Sequence, residues 1–248
     1  MEISGKTIVI TGAASGLGAA TARLLSQQKA NIILLDRNLS ALEKIAADIH
    51  GKAFECDVTS ENAVKNIVSQ LPDIHVVVNC AGVVQGARIV GKNGAMPLDD
   101  FSRVIQINLI GTFNVMRLVA EKMSAQKPVN ENGERGVIIN TASIAAFEGQ
   151  LGQVAYAASK GGVASMTLPA ARELSRFGIR VMTIAPGIME TPMMAGMTEE
   201  VRSALYADVP FPKTLGNPDD FAKLAAHIIE NSYLNGSTIR LDGALRLR

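Results

Sequence analysis

Histidine and cysteine are scarce in this chain, with three of the first (His50, His75, His227) and two of the second (Cys56, Cys80) among 248 residues. The histidines are scattered and the cysteines have no ligand-type neighbours, so no metal site is expected. Two thiols without further partners point to free cysteines in a reducing compartment. An excess of charge is also missing: 24 basic against 23 acidic side chains leave a formal net charge of +1. That balance gives no footprint for nucleic acid or an anionic membrane, and neither is an expected partner. No run approaches the ~20 apolar residues of a membrane span. The first strand-like run begins about six residues in, which leaves no room for a targeting segment, and a cytoplasmic location is the expectation. Hydrophobic residues, by contrast, make up 48% of the chain, enough for a sizeable core in a length that suits one large α/β domain.

Apolar, β-branched runs alternate with helical patterns almost throughout. KTIVITG (6–12), NIILLD (31–36), KAFECD (52–57), HVVVNCAG (75–82), GVIINTAS (136–143), IRVMTIAPG (179–187) and STIRLDG (237–243) read as about seven strands. Helices are expected up to about Lys29, over 39–50 and 60–71, from about Leu98 to Met123, around Tyr156, and near 218–231. The strands are continuously apolar rather than alternating, which indicates burial on both faces and hence a parallel sheet between helices. Right-handed crossovers then give a doubly wound, Rossmann-type fold in a single domain, residues 1–248. Two stretches break the rhythm: a Gly-containing loop at 83–97 (VVQGARIVGKNGAMP) and a polar one at 126–135 (QKPVNENGER). Loops of that length in a compact domain are usually functional or disordered.

TGAASGLG (11–18) joins the first strand to the first helix. Gly12, Gly16 and Gly18 let the backbone turn tightly and approach a pyrophosphate, with Ser15 and Leu17 beside it and the helix N-terminus facing the charge. The spacing is G-x-x-x-G-x-G, not the common G-x-G-x-x-G, and glycines alone would also suit any tight turn. Asp36 adds weight, because it ends the second strand 18 residues beyond Gly18, where a carboxylate can accept both ribose hydroxyls of an adenosine. Asn38 and Ser40 are available to cap the next helix in its place. A carboxylate repels a 2′-phosphate, so NAD(H) is favoured over NADP(H), although Arg37 is a residue type that tolerates one. In CDVTS (56–60), Asp57 is either a turn residue before the Thr59/Ser60 cap or, with Val58, a contact for adenine. Asn79, Cys80, Ala81 and Gly82 (NCAG) end the fourth strand, and all these positions lie at the carboxyl edge of the sheet, where doubly wound folds bind ligands.

Residues 155–162 read AYAASKGG. Tyr156 and Lys160 are four apart, one above the other on a helix face. A tyrosine at the core rim and a snorkelling lysine would look the same. With the glycine pattern, NCAG, Asn108, Ser143, YAASK (156–160) and PG (186–187), however, the chain resembles a short-chain dehydrogenase/reductase over essentially its whole length. Within that family, GTFNVMRLVAEKM, GVIINTASIAAFEGQ, MTIAPGIMETP and YLNGSTIRLDGALR resemble the type 2 3-hydroxyacyl-CoA dehydrogenases, also called 17β-hydroxysteroid dehydrogenase type 10.

The resemblance implies catalysis by Ser143, Tyr156, Lys160 and Asn108. A free phenol has a pKa of ~10, and Lys160 is expected to lower that of Tyr156 so that it can take the alcohol proton. Ser143 would hydrogen-bond the substrate oxygen, Lys160 would also bind the nicotinamide ribose, and Asn108 would hold a water that relays protons to the lysine. Pro186, Gly187, Ile188, Met189, Thr191 and Met193 would cover the nicotinamide, with 188–212 as a mobile lid. The activity implied is NAD-dependent oxidation of (S)-3-hydroxyacyl-CoA, with hydroxysteroids as further substrates, in a homotetramer. A 3-oxoacyl carrier-protein reductase and a non-catalytic scaffold subunit in RNA processing are the alternatives. In the loop 83–97, Arg88 and Lys92 are candidates to meet the phosphates of coenzyme A.

Overall fold

The computed structural model describes residues 1–92, 94–192 and 208–247. Seven strands form its parallel sheet: β1 (Thr7–Thr11), β2 (Asn31–Asp36), β3 (Lys52–Glu55), β4 (Val76–Asn79), β7 (Gly136–Thr141), β8 (Ile179–Pro186) and β9 (Thr238–Leu241). Their spatial order is β3-β2-β1-β4-β7-β8-β9, with every pairing parallel. The chain winds outward from β1 to β3, then crosses back to β4 on the other side of β1. That reversal opens a crevice at the carboxyl ends of β1 and β4.

The continuous apolar strands have the expected physical basis. Ile8, Ile10, Leu34, Val76, Val78 and Ile139 belong to one buried cluster, while Val9, Ile33, Leu35, Val77 and Ile138 belong to the other. Alternate residues point to opposite faces, and here both faces are covered. Helices α1 (Gly16–Gln27), α2 (Leu39–Ile49) and α7 (Pro218–Glu230) bring Leu25, Leu42 and Phe221 to the first cluster. Helices α3 (Glu61–Gln70), α5 (Gly111–Ala125) and α6 (Val154–Leu174) bring Val64, Val119 and Ala171 to the second. Local signals start several of them. Asn38 and Ser60 accept from Ala41 N and Ala63 N, and Asn217 and Asp220 form a capping box around Pro218, each satisfying donors that a helix start leaves over.

Three expectations change. The helix predicted from Leu98 to Met123 is α4 (Leu98–Ile105) and α5 joined by a π turn at Gln106–Ile110. The widened turn surrounds the fully buried Asn108, and such bulges are common at functional sites. The loop 83–97 contains a small antiparallel hairpin, β5 (Val90–Gly91) with β6 (Gly94–Ala95). It is anchored where Ala87 N donates to Gly152 O at 2.8 Å. The polar stretch 126–135 is structural rather than loose. The Gln126 amide brackets Ile74, donating to its carbonyl at 2.9 Å and accepting from its N–H at 2.6 Å. Glu134 pairs with buried Arg180 at 2.8 Å, and that guanidinium donates to the carbonyls of Ile228 and Ile229, each at 2.8 Å, at the end of α7. Of the expected lid, 193–207 lies outside the described residues, Met193 included; Met189 bridges to Gly216.

At the start of β4, Thr7 N donates to His75 Nδ1 at 3.1 Å. Burial first, then the charge of Lys6, holds this imidazole below its ordinary pKa, against a weaker pull from Asp73. Protonation would set a donor against a donor. Since the folded pKa lies below the unfolded 6.5, the contribution is complete above that pH and is lost as pH falls through the folded value. We expect His75→Asn, which can accept the same bond without titrating, to flatten the loss of stability as pH falls below 6.5, relative to the parent. Chemical denaturation across that range checks it, and parallel slopes would refute it.

Candidate active site

The crevice is a single cavity of about 670 Å³ that runs from Asp36 and Asp57 at one end to Ser143, Tyr156 and Lys160 at the other. At the first end the backbone itself is the cradle. A Cβ on Gly12 would lie 2.7 Å from Ala81 N, and one on Gly18 would lie 2.4 Å from Gly12 O, so neither position admits a side chain. Ser15 caps α1 without any side-chain hydrogen bond, which leaves the first amides of the helix facing the crevice for an anion. Asp36 closes this end. Its Oδ2 accepts from Ala14 N at 3.1 Å and its Oδ1 from Asn38 N at 3.0 Å, and each oxygen keeps a lone pair for a ribose hydroxyl.

Asp57 takes the first of its two expected roles, that of a turn residue. One oxygen accepts from Thr59 N at 2.9 Å and Thr59 Oγ1 at 2.7 Å, shaping the turn into α3. The other faces Arg37 Nε at 3.8 Å, while the residue still lines the crevice. Burial works to raise its pKa, but the Thr59 bonds and the Arg37 charge hold the carboxyl below its usual value. Arg37, largely exposed, is thus drawn toward Asp57.

At the other end, β7 delivers Ser143 and α6 delivers Tyr156 and Lys160. Ser143 caps a short 3-10 turn (Ile144–Ala146), with its Oγ accepting from Ala145 N at 3.1 Å. The cap uses the oxygen as acceptor, so the hydroxyl proton stays available to donate, and Ser143 is hydrogen-bonded to Tyr156. Lys160 is 5% exposed and donates to Thr141 O at 2.8 Å. Its ammonium lies 5.8 Å from the centre of the Tyr156 ring. The expected direction of the phenol pKa is reversed here. Burial pushes Tyr156 up, with only the Ser143 bond acting the other way. Burial also brings Lys160 down to about 8. Desolvation therefore outweighs the attraction between the two in the protein alone.

Asn108 and Asn79 stand behind the wall rather than in it. Asn108 Oδ1 accepts from Val83 N at 2.8 Å, and its Nδ2 donates to Val83 O at 2.9 Å and Ser159 Oγ at 3.0 Å. Ser159 in turn donates to Tyr156 O at 2.7 Å. The side chain thus ties the β4 edge to the helix of Tyr156. Asn79 Nδ2 donates to Asn140 Oδ1 at 2.9 Å across β4 and β7. Gly82 keeps the space between these layers open, since a Cβ there would meet Lys160 Nζ at 3.5 Å and Asn108 Oδ1 at 3.2 Å.

The other expected residues all line the cavity: Gly16, Leu17, Val58, Cys80, Ala81, Pro186, Gly187, Ile188, Met189 and Thr191. The Cys80 thiol is pushed up to about 12 by burial and is no nucleophile. Gln150, Gln153 and Leu247 also line the cavity; nothing in their local sequence marks them. Among the described residues no three His, Cys, Asp or Glu side chains form a metal cluster, and no helix is long and apolar enough to cross a membrane.

The family model described as short chain dehydrogenase matches residues 6–202. A 3-hydroxyacyl-CoA dehydrogenase type-2 from Bos taurus is 51% identical, over 100% of this chain and 97% of its own length. A 3-oxoacyl-(acyl-carrier-protein) reductase from Thermotoga maritima is 36% identical over 99% of each chain. The crystal structure of a 3-hydroxyacyl-CoA dehydrogenase type-2 from Mycobacterium avium superposes with a TM-score of 0.93 at 42% identity, covering 98% of this chain and 97% of that one.

The buried lysine makes a stability prediction. Its folded pKa of about 8 lies below the unfolded 10.5, so stability is lost as pH falls through that window and the full penalty, on the order of 3 kcal/mol, applies at neutral pH. Loss of the bond to Thr141 O offsets part of the gain on removing the charge. Lys160→Met is expected to abolish turnover yet raise the melting temperature by roughly 5 °C at pH 7, an advantage that shrinks between pH 8 and 10.5. A melting temperature below the parent's at pH 7 would contradict the account.

Proposed function

The chain belongs to the short-chain dehydrogenase family, and from that premise we propose that it oxidises (S)-3-hydroxyacyl-CoA to 3-oxoacyl-CoA with NAD, a step of fatty acid β-oxidation. The observation that carries this reading is one cavity with the Asp36 carboxylate at its nucleotide end and the Ser143–Tyr156 pair at its chemical end. The glycine cradle, the unserved amides of α1 and the free lone pairs of Asp36 fit a dinucleotide without a 2′-phosphate. Arg37 does not offset this, because Asp57 already draws it. Relatives named for 3-hydroxyacyl-CoA supply the substrate class. Reduction of a carrier-protein thioester would use the same groups in reverse, but Asp36 disfavours the phosphorylated cofactor.

The glycine cradle and Asp36 would hold an oxidised nicotinamide dinucleotide, which would supply the hydride acceptor and a positive charge. Ser143 donates its free hydroxyl proton to the substrate oxygen and fixes it beside Tyr156. Tyr156 takes the alcohol proton during oxidation and returns it in the reverse direction. Lys160, held by Thr141 O, would bind the ribose and, once the cofactor is in place, favour the phenolate. Asn108 keeps the helix of Tyr156 in register with the β4 edge.

The test is kcat/KM for NAD and NADP over a panel of 3-hydroxyacyl-CoA esters and hydroxysteroids. Highest values for a CoA ester with NAD are expected; an NADP preference, or steroids alone being turned over, would overturn the reading. In the same assay Tyr156→Phe should lose roughly a thousandfold in kcat while NAD still binds, and near-normal turnover would remove its catalytic role. At the rim, Val83 and Val84 lead from the cavity wall into the hairpin loop, where Arg88 and Lys92 are exposed. If they meet the CoA phosphates, the double replacement by Ala should raise KM for CoA esters roughly several-fold with kcat little changed. A short 3-oxo ester lacking CoA should not respond, and an equal effect on both substrates would assign the loop to folding instead.

A further inference from the structure

Beyond β9 the chain turns back through two consecutive left-handed residues, Gly243 (φ +58°) and Ala244 (φ +65°). Alanine adopts that conformation only at a steric cost, because its Cβ crowds the following carbonyl, so the turn needs restraint. Asp242 provides some of it, as its Oδ1 accepts from Ala244 N at 3.0 Å and its carbonyl from Leu245 N at 3.0 Å. Arg240 provides more. Its two terminal nitrogens donate to Glu148 Oε1 and Oε2, each at 2.9 Å, its Nε to Asp242 Oδ2 at 2.6 Å, and Nη2 also to Leu245 O at 3.1 Å. Its guanidinium stands 5.4 Å from the centre of the Phe147 ring. Arg246 joins the same acids, 3.4 Å from Glu148 and 3.2 Å from Asp242.

This four-residue network spans 92 residues of sequence between Glu148 and Arg240. Glu148 follows the turn that carries Ser143, and a bidentate guanidinium–carboxylate pair admits only a narrow range of mutual orientations. The network therefore fixes the segment after β9 against the Ser143 turn. Two leucines show the result. Leu245 is 2% exposed, packed with Ile144 and Val209, and Leu247 packs on that cluster while lining the cavity that holds Ser143 and Tyr156.

We propose that Arg240 and Glu148 are positioning residues for this wall, and that Leu247, held there by them, sets the length of the acyl group the cavity admits. The inference rests on the acyl-CoA reading for its substrate, but the restraint itself can be read without substrate. Hydrogen exchange comes first: Glu148→Gln should speed exchange of the amides of Ala244 to Leu247 severalfold and leave the central strands unchanged. Kinetics follow on straight-chain 3-hydroxyacyl-CoA esters from butyryl to decanoyl length. Leu247→Ala should raise the ratio of kcat/KM for long over short chains by roughly tenfold, mainly through KM, and Glu148→Gln should move the ratio in the same direction. An unchanged ratio in Leu247→Ala, or a proportional fall at every length, would overturn the specificity role. Unchanged exchange in Glu148→Gln would overturn the positioning role. If the parent turns over none of the thioesters, the acyl-CoA reading fails by itself. The panel is then simple secondary alcohols of rising length, on which the same shift must appear if Leu247 is the wall.

Discussion

The contact between the Lys160 ammonium and the Thr141 carbonyl, 2.8 Å long and almost out of reach of water, is what the chemical end of this molecule is built around. An ammonium in such a place needs compensation, and among the described residues it has one carbonyl and no carboxylate. Strand β7 and helix α6 bring the groups that meet there. The strand ends in Thr141 and then presents Ser143; the helix presents Tyr156 one turn before the lysine. Burial that pushes Tyr156 up and Lys160 down describes a site whose charge balance is completed by what enters it. A carboxylate beside Lys160 would stabilise the fold and hold the ammonium away from the ribose and the phenol.

The π turn serves the same end from the other side. An extra residue in one helical turn lets Asn108 point its amide at Val83 and Ser159 at once. Through Ser159 the contact reaches the backbone carbonyl of Tyr156. The helix with the phenol is thereby linked to the strand edge beside the cofactor cradle by three consecutive hydrogen bonds, each inside the protein, where such bonds gain strength from the low local dielectric.

The sheet and the two ends of the cavity were legible from residue types and order. Doubly buried strands leave a continuous apolar record, and Gly12, Gly18 and Asp36 stand at spacings that only a βα turn and a strand end explain. What escaped were features that depend on distant parts of the chain. A π turn changes a helix by a single residue and leaves no periodic signal. Glu134 and Arg180 look like surface charges until the fold brings them together. Gln150, Gln153 and Leu247 enter the cavity by tertiary placement alone. The direction of the phenol pKa was misread for a related reason: sequence reveals that two charges are neighbours but not how little water reaches them.

Asp36 bears on how this protein can change its cofactor over time. The carboxylate that would discriminate against a 2′-phosphate also accepts the backbone N–H groups of Ala14 and Asn38, one in the glycine-rich turn and one at the cap of α2. Removing it to admit the phosphate would leave the half-buried Ala14 amide without its acceptor, at about 1 kcal/mol, while water can take over the exposed Asn38 amide. If Asp36 sets the cofactor choice, as proposed, that choice is tied to the shape of the turn that Ala14 belongs to. A drift toward the phosphorylated cofactor is therefore easiest through a side chain at position 36 that still accepts from Ala14 N without carrying a charge.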